Sequence, residues 1–174
     1  MTGWTVRPAE AREAAALTAF GRRVFAATFA PDNEACQLER YLATEYTLEA
    51  QASELADPAI MTLLACDGAD TILGFAQLHR GVPPLCVADA EPIELWRFYV
   101  DQPWHGQGVA SVLMQAVRDT AVDGAARTMW LGVWERNPRA QAFYRTFGFT
   151  PVGTRSFVFG TKSQTDQIWM RELH

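Results

Sequence analysis

An apolar, strand-like run that breaks directly into a glycine-spaced helix start constrains this chain more than any other feature. Residues 93–100 are rich in apolar and aromatic side chains, and Asp101-Gln102-Pro103-Trp104-His105-Gly106-Gln107-Gly108-Val109-Ala110 follows at once. Glycines at 106 and 108 let the backbone turn sharply and approach a ligand with no Cβ in the way. The N–H groups that open the next helix, expected over 106–122, combine with the positive end of its dipole into a phosphate site. Ala110 is small enough to bring that helix close to the ligand. The same two glycines would also serve a plain strand-to-helix turn, so the ligand needs further support.

The elements around this unit define a fold class. Residues 5–7 read as a short strand, and an Ala-rich helix runs from about 9 to 29 with Leu17, Phe20, Val24 and Phe25 at helical spacing. Gly21 argues against that helix being continuous. A second helix carries Cys36, Leu38, Tyr41 and Leu42, and a third, 48–55, stops before Pro58. Runs 59–66 and 71–78 flank Asp67-Gly68-Ala69-Asp70, a hairpin signal, and 81–90 is a loop. After the helix at 106–122, with Val109, Val112, Leu113, Ala116 and Val117 on its apolar side, come a strand at 127–134 and a helix at 138–147 closed by Gly148. Three short strands, 149–153, 157–159 and 167–171, end the chain. This order gives an α/β (α+β) fold, one domain over residues 1–174, around a mixed, mostly antiparallel sheet flanked by helices.

Several functions are disfavoured. A Walker loop needs Lys and a hydroxyl after its glycines, and Gly108-Val109-Ala110 has neither. A dinucleotide fold would carry the glycines after its first strand, not this late. The net charge of −5, from 15 basic and 20 acidic residues, opposes nucleic acid as a partner. No run approaches eighteen apolar residues, and the opening MTGWTVRPAE lacks a signal-peptide core, so no membrane and a cytoplasmic location are the expectation. Cys36, Cys66 and Cys86 read as reduced, mostly buried thiols, and His79, His105 and His174 are too scattered for a metal site.

His105-Gly106-Gln107-Gly108-Val109-Ala110 resembles the Gln/Arg-x-x-Gly-x-Gly/Ala signature of the GCN5-related N-acetyltransferase superfamily. Asn137-Pro138-Arg139-Ala140-Gln141-Ala142-Phe143-Tyr144-Arg145-Thr146-Phe147-Gly148-Phe149 is similar to that superfamily's Asn-x-x-Ala-x-x-Phe-Tyr-x-x-x-Gly-Phe. His105 departs from the usual Arg or Gln; its imidazole could donate to a pyrophosphate. The resemblance implies acetyl-coenzyme A as acetyl donor, held between splayed strands 93–100 and 127–134. Cofactor contacts are then expected from Phe98, Val100, His105, Gly106, Gln107, Gly108, Val109, Ala110, Asn137 and Tyr144.

Residues seven apart share a helix face, so Asn137 and Tyr144 can both meet the cofactor while Phe143 and Phe147 enter the core. The resemblance assigns Tyr144 as general acid toward the coenzyme A thiolate, and Asn137 either contacts the pantetheine or caps its helix. Strand alternation sets Glu94, Trp96, Phe98 and Val100 on one face and Leu95, Arg97 and Tyr99 on the other. Glu94 then stands where histone-type members hold a catalytic glutamate; an ion pair with Arg97 or Arg127 is an equal reading, and Glu135 is the reserve. Most of the tryptophans belong to sheet packing, with Trp104 in the loop as the exception.

The expected reaction is direct acetyl transfer to a primary amine, without metal or covalent acyl-enzyme. The tail segments 152–160 and 165–170 and Leu95-Trp96-Arg97-Phe98-Tyr99-Val100 resemble bacterial spermidine/spermine N-acetyltransferases, and acidic residues Asp32, Glu34, Glu39, Glu45, Glu49, Glu54 and Asp57 agree with a polyamine. A protein or peptide amine and a non-catalytic acyl-coenzyme A sensor are the alternatives. A homodimer is left open.

Overall fold

The computed structural model describes residues 3–173. In chain order it contains β1 (Trp4–Pro8), α1 (Ala14–Phe29), α2 (Ala35–Glu45), α3 (Leu48–Ala56), β2 (Ile60–Asp67), β3 (Ile72–His79) and β4 (Pro92–Val100). Then follow α4 (Val109–Asp123), β5 (Thr128–Trp134), α5 (Pro138–Thr146), β6 (Thr150–Phe159) and β7 (Lys162–Glu172). The strands form one sheet in the order β1-β2-β3-β4-β5-β7-β6. β4 and β5 are parallel, while their neighbours pair antiparallel. The fold is thus the mixed, mostly antiparallel α/β architecture that the element order predicts.

Two cores sandwich the sheet. α4 contributes Val109, Leu113, Met114, Val117 and Ala121 to one, against Ile93, Leu95 and Met129. α1 and α2 contribute Leu17, Phe20, Val24, Phe25, Leu38 and Leu42 to the other, against Leu64 and Phe75. Each fully buried Leu or Phe stabilises the fold by about 1.5–3 kcal/mol through apolar area removed from water.

The structure corrects several expectations. α1 is continuous through Gly21, where a Cβ would come within 2.5 Å of Tyr46 Cε1, so the glycine makes room for a ring. The helix expected from 106 starts at Val109, because Gly106 and Gly108 have φ of +75° and +91° and form the turn before it. Val112 is exposed, and Met114 and Ala121 complete the buried stripe instead. The three short terminal strands are one long hairpin, β6 and β7, whose polar residues hid its period. Cys36 and Cys86 are exposed and only Cys66 is buried; all three are free.

The most consequential correction concerns β4. Leu95 pairs with Leu78 and Arg97 with Gln77, so Trp96 is an extra residue in the strand. Such a bulge resets the alternation of side chains. Ile93, Leu95, Phe98 and Val100 therefore pack on the α4 face, and Tyr99 packs with the α1–α2 core. Glu94 does not share a face with Phe98 and Val100.

Candidate active site

The loop between β4 and α4 is held from three sides. Asp101 Oδ1 accepts from the Gln102 N–H at 2.9 Å, and its Oδ2 meets Arg23 Nη1 of α1 at 2.7 Å. Gln107 Nε2 donates to the Pro103 carbonyl at 2.6 Å, folding that side chain back onto the loop. His105 Nε2 donates to the Val100 carbonyl at 2.7 Å, which ties the loop to the end of β4. The first intrahelical bond runs from the Val112 N–H to the Gly108 carbonyl, at 3.1 Å. The N–H groups of Val109, Ala110 and Ser111 thus have no partner within the helix, the arrangement that receives anions at a helix start. Trp104 packs edge-on against Trp4, ring centroids 6.0 Å apart, below the loop.

β4 and β5 pair only at Pro92–Thr128, Ile93–Met129 and Glu94–Trp130. Past that point the strands diverge and open a cleft of about 240 Å³. Phe98, Val100, His105, Ala110, Asn137 and Tyr144 all line it, together with Trp96, Trp134 and Phe143. The cleft thus brings the two sequence motifs together. Gly106, Gln107 and Gly108 are exposed in the turn between His105 and Ala110 and Val109 is buried; none of these four lines the cleft.

α5 presents the second motif. Asn137 Oδ1 accepts from the Ala140 N–H at 3.1 Å, so its side chain is an N-cap and satisfies a helix-end donor. Tyr144 packs edge-on against Phe98 at 6.4 Å and Phe149 at 5.8 Å. Burial pushes its phenol above the usual pKa. Phe143 packs against the core with Phe147, as helical spacing suggested, and also faces Phe98 at 5.4 Å and lines the cleft beside Tyr144.

Across the sheet, a second cavity of about 110 Å³ shares Phe29, Trp96, Arg97, Tyr99, Gly132 and Trp134 with the cleft. Glu94 lies on this face, 7% exposed, and lines neither cavity. Its Oε1 is 3.4 Å from Arg155 Nη1 and its Oε2 is 3.7 Å from His79 Nδ1. Burial raises its pKa against the opposing pull of Arg155 and His79. Its partners are therefore Arg155 and His79 rather than Arg97 or Arg127. Arg97 instead bonds to Glu54 Oε2 at 2.5 Å and Gln77 Oε1 at 2.8 Å. Glu135 is exposed in a separate groove beside Lys162.

One carboxylate was missed by the sequence reading. Asp166 of β7 lines the second cavity, is 7% exposed, and has a pKa raised by burial. A Cβ at Gly132 would fall 2.6 Å from Arg155 Nη2 and 3.1 Å from Asp166 Oδ2. The signal was a glycine inside an otherwise apolar strand, which marks a close approach by another group. Among the described residues no three His, Cys, Asp or Glu side chains are grouped to hold a metal; His174 lies outside them. No helix among them is long and apolar enough to cross a membrane.

Residues 26–149 match the model of the Acetyltransferase (GNAT) family. An uncharacterized N-acetyltransferase of Mycobacterium tuberculosis is 41% identical over 123 residues, covering 70% of this chain and 73% of its own. The PaiA N-acetyltransferase of Thermoplasma acidophilum, solved in complex with coenzyme A, superposes with a TM-score of 0.78 at 18% identity, over 97% of this chain and 98% of its own. Mutant forms of the spermidine/spermine N-acetyltransferase SpeG of Vibrio cholerae give a TM-score of 0.71 at 16% identity, over 99% and 95%. The chain belongs to the GNAT family and is an acetyl-coenzyme A-dependent N-acetyltransferase.

Proposed function

We propose that this chain transfers the acetyl group of acetyl-coenzyme A to a primary amine of a small molecule, in the gap between β4 and β5. The observation that carries this reading is the divergence of the two strands past Glu94 and Trp130, with Tyr144 on one side of the gap. The residues fit the donor. The unpaired edge of β4 can meet an extended pantetheine arm as an added strand would, and the free N–H groups at the start of α4 suit its pyrophosphate. Val100 is a weaker contact than its neighbours, because its carbonyl already accepts from His105. Bound there, acetyl-coenzyme A supplies an activated thioester.

The chain's own groups would do the rest. A β4 backbone N–H can receive the developing oxyanion. Tyr144 would give its proton to the departing sulfur; the buried phenol stays protonated at neutral pH, as an acid must. Asn137 fixes the start of α5 and so the position of Tyr144 along the cleft.

A polyamine acceptor draws support from the acidic segment 32–57 and from the name of the Vibrio cholerae neighbour. Most of those acids are engaged elsewhere. Glu34 pairs with Lys162, Glu39 with Arg22, Glu45 and Glu54 with Arg97, and Asp57 caps the Ala59 N–H. Screening polyamines, arylalkylamines, amino acids and short peptides for coenzyme A release tests the reading. Release with small amines supports it; release with peptides alone moves the acceptor to a protein amine, and binding without release favours a sensor.

A further inference from the structure

The 110 Å³ cavity opens on the face opposite Tyr144 and is walled by Phe25, Tyr41, Trp96, Trp134, Phe157 and Phe159. Phe25 stacks on Tyr41 at 4.6 Å, and Tyr41 on Phe159 at 5.2 Å. Aromatic faces attract an ammonium and also bury an apolar or aromatic body.

The charged groups in this lining are Arg97, Arg155 and Asp166. Arg97 is neutralised by Glu54 and Glu45, which lie outside the lining. Arg155 Nη1 donates to Glu94 Oε1 at 3.4 Å, while its Nε lies 3.7 Å from Asp166 Oδ2, too far for a hydrogen bond. Gly132 then matters. It belongs to both cavities, and the absence of its side chain lets Asp166 Oδ2 and Arg155 Nη2 lie against β5 beside the gap.

We infer that Asp166 binds the acceptor ammonium and takes its proton, that Glu94 positions it through Arg155, and that the acceptor is a monoamine with an apolar, preferably aromatic, body. The inference rests on the acetyltransferase reading and specifies its acceptor. Asp166 accepts one proton from R–NH₃⁺ and passes it to solvent. The freed lone pair forms the C–N bond at the thioester carbon, and the C–S bond breaks with its electron pair on sulfur. Tyr144 protonates that sulfur, and the second N–H proton lost from nitrogen restores the phenol. Acid and base thus stand on opposite faces of the sheet and meet only at the gap. A polycation would bring further charges into a lining that holds one carboxylate beside Arg97 and Arg155.

The charged and titratable groups around Asp166 are Arg155 of β6, Tyr41 of α2, Tyr46, and Arg97 and Tyr99 of β4; Glu94 of β4 bears on it through Arg155 and in turn meets His79 of β3. Ionised Asp166 is the active form, so turnover should rise through its elevated pKa and then level. Asp166→Asn should keep the wild-type acetyl-coenzyme A affinity, lower kcat/KM for phenethylamine by about 10²-fold, and lose that plateau. Its rate would instead climb about tenfold per pH unit toward the amine's own pKa, following free amine alone. Gly132→Ala, which presses on Asp166 and Arg155, is a second probe and should raise KM for the amine more than KM for acetyl-coenzyme A. Calorimetry of phenethylamine on the coenzyme A complex should show binding to wild type and at least about tenfold weaker binding to Asp166→Asn, the loss of one charge-assisted contact. An unchanged rate and pH profile in Asp166→Asn overturns the base assignment, and a higher kcat/KM for spermidine than for phenethylamine overturns the acceptor class. Wild-type protein that binds acetyl-coenzyme A but acetylates no amine overturns both this inference and the acetyltransferase reading.

Discussion

His105 Nε2 donates to the carbonyl oxygen of Val100 at 2.7 Å, joining the residue before the glycine turn to the last residue of β4. The bond turns the imidazole toward the strand, which gives His105 a structural task in addition to any contact with phosphate. A hydrogen bond of this kind contributes about 0.5–1.5 kcal/mol. His105→Ala should therefore weaken acetyl-coenzyme A binding by about 2–10-fold, while Tyr144-dependent chemistry persists at saturating donor. Titration calorimetry with kcat at saturation checks this; unchanged affinity would show that the loop holds its shape without the histidine.

Gly108 tests the anion site itself. Its φ of +91° strains any L-residue, at a cost of about 1–3 kcal/mol. Gly108→Ala should show that strain as weakened binding, and Gly108→Asp should add a negative charge beside the pyrophosphate and nearly abolish it. Equal loss in the two variants would mean that backbone shape alone, and not charge, governs the site.

Tyr144→Phe keeps the ring contacts with Phe98 and Phe149 and removes only the hydroxyl. Donor affinity should hold, and kcat should fall by about 10²-fold. Because burial raises the phenol's pKa, its ionisation should place no inflection in the wild-type rate profile below about pH 10. An unchanged kcat would remove Tyr144 from the chemistry.

Arg7 and Glu13 provide a separate test of the acid limb of stability. Arg7 bonds to Glu13 at 2.7 and 2.9 Å and also reaches Asp70, joining β1 and the entry of α1 to the β2–β3 turn. These bonds lower the Glu13 pKa to about 2 from an ordinary value near 4.5. A depressed carboxylate stabilises the fold above its unfolded pKa, and that contribution is lost as pH falls toward the folded one. Glu13→Gln should thus melt about 1–4 °C below wild type at pH 6, with the gap closing between pH 4.5 and 2. A gap independent of pH would assign the loss to packing.

The parts of the site that were legible in the sequence are local. Gly106, Gly108 and the Asn137 cap depend on a few adjacent residues, so spacing reveals them. The bulge at Trp96 was not legible, because strict alternation is the default for a strand and nothing local marks an extra residue. Nor was Asp166, whose place beside Gly132 and Arg155 depends on β5, β6 and β7 pairing in one register. The acidic segment was legible only in part: composition counts charges, but Arg22, Arg97 and Lys162 pair with several of them in the fold.

The proposed acetyl transfer in the β4–β5 gap is measured most directly by incubating the wild-type chain with acetyl-coenzyme A and phenethylamine, and quantifying free thiol and N-acetylated amine together. One equivalent of each product should appear per turnover, with both falling by about 10²-fold in Tyr144→Phe at undiminished donor affinity. Bound acetyl-coenzyme A with neither product formed, from this or any other amine, would contradict it.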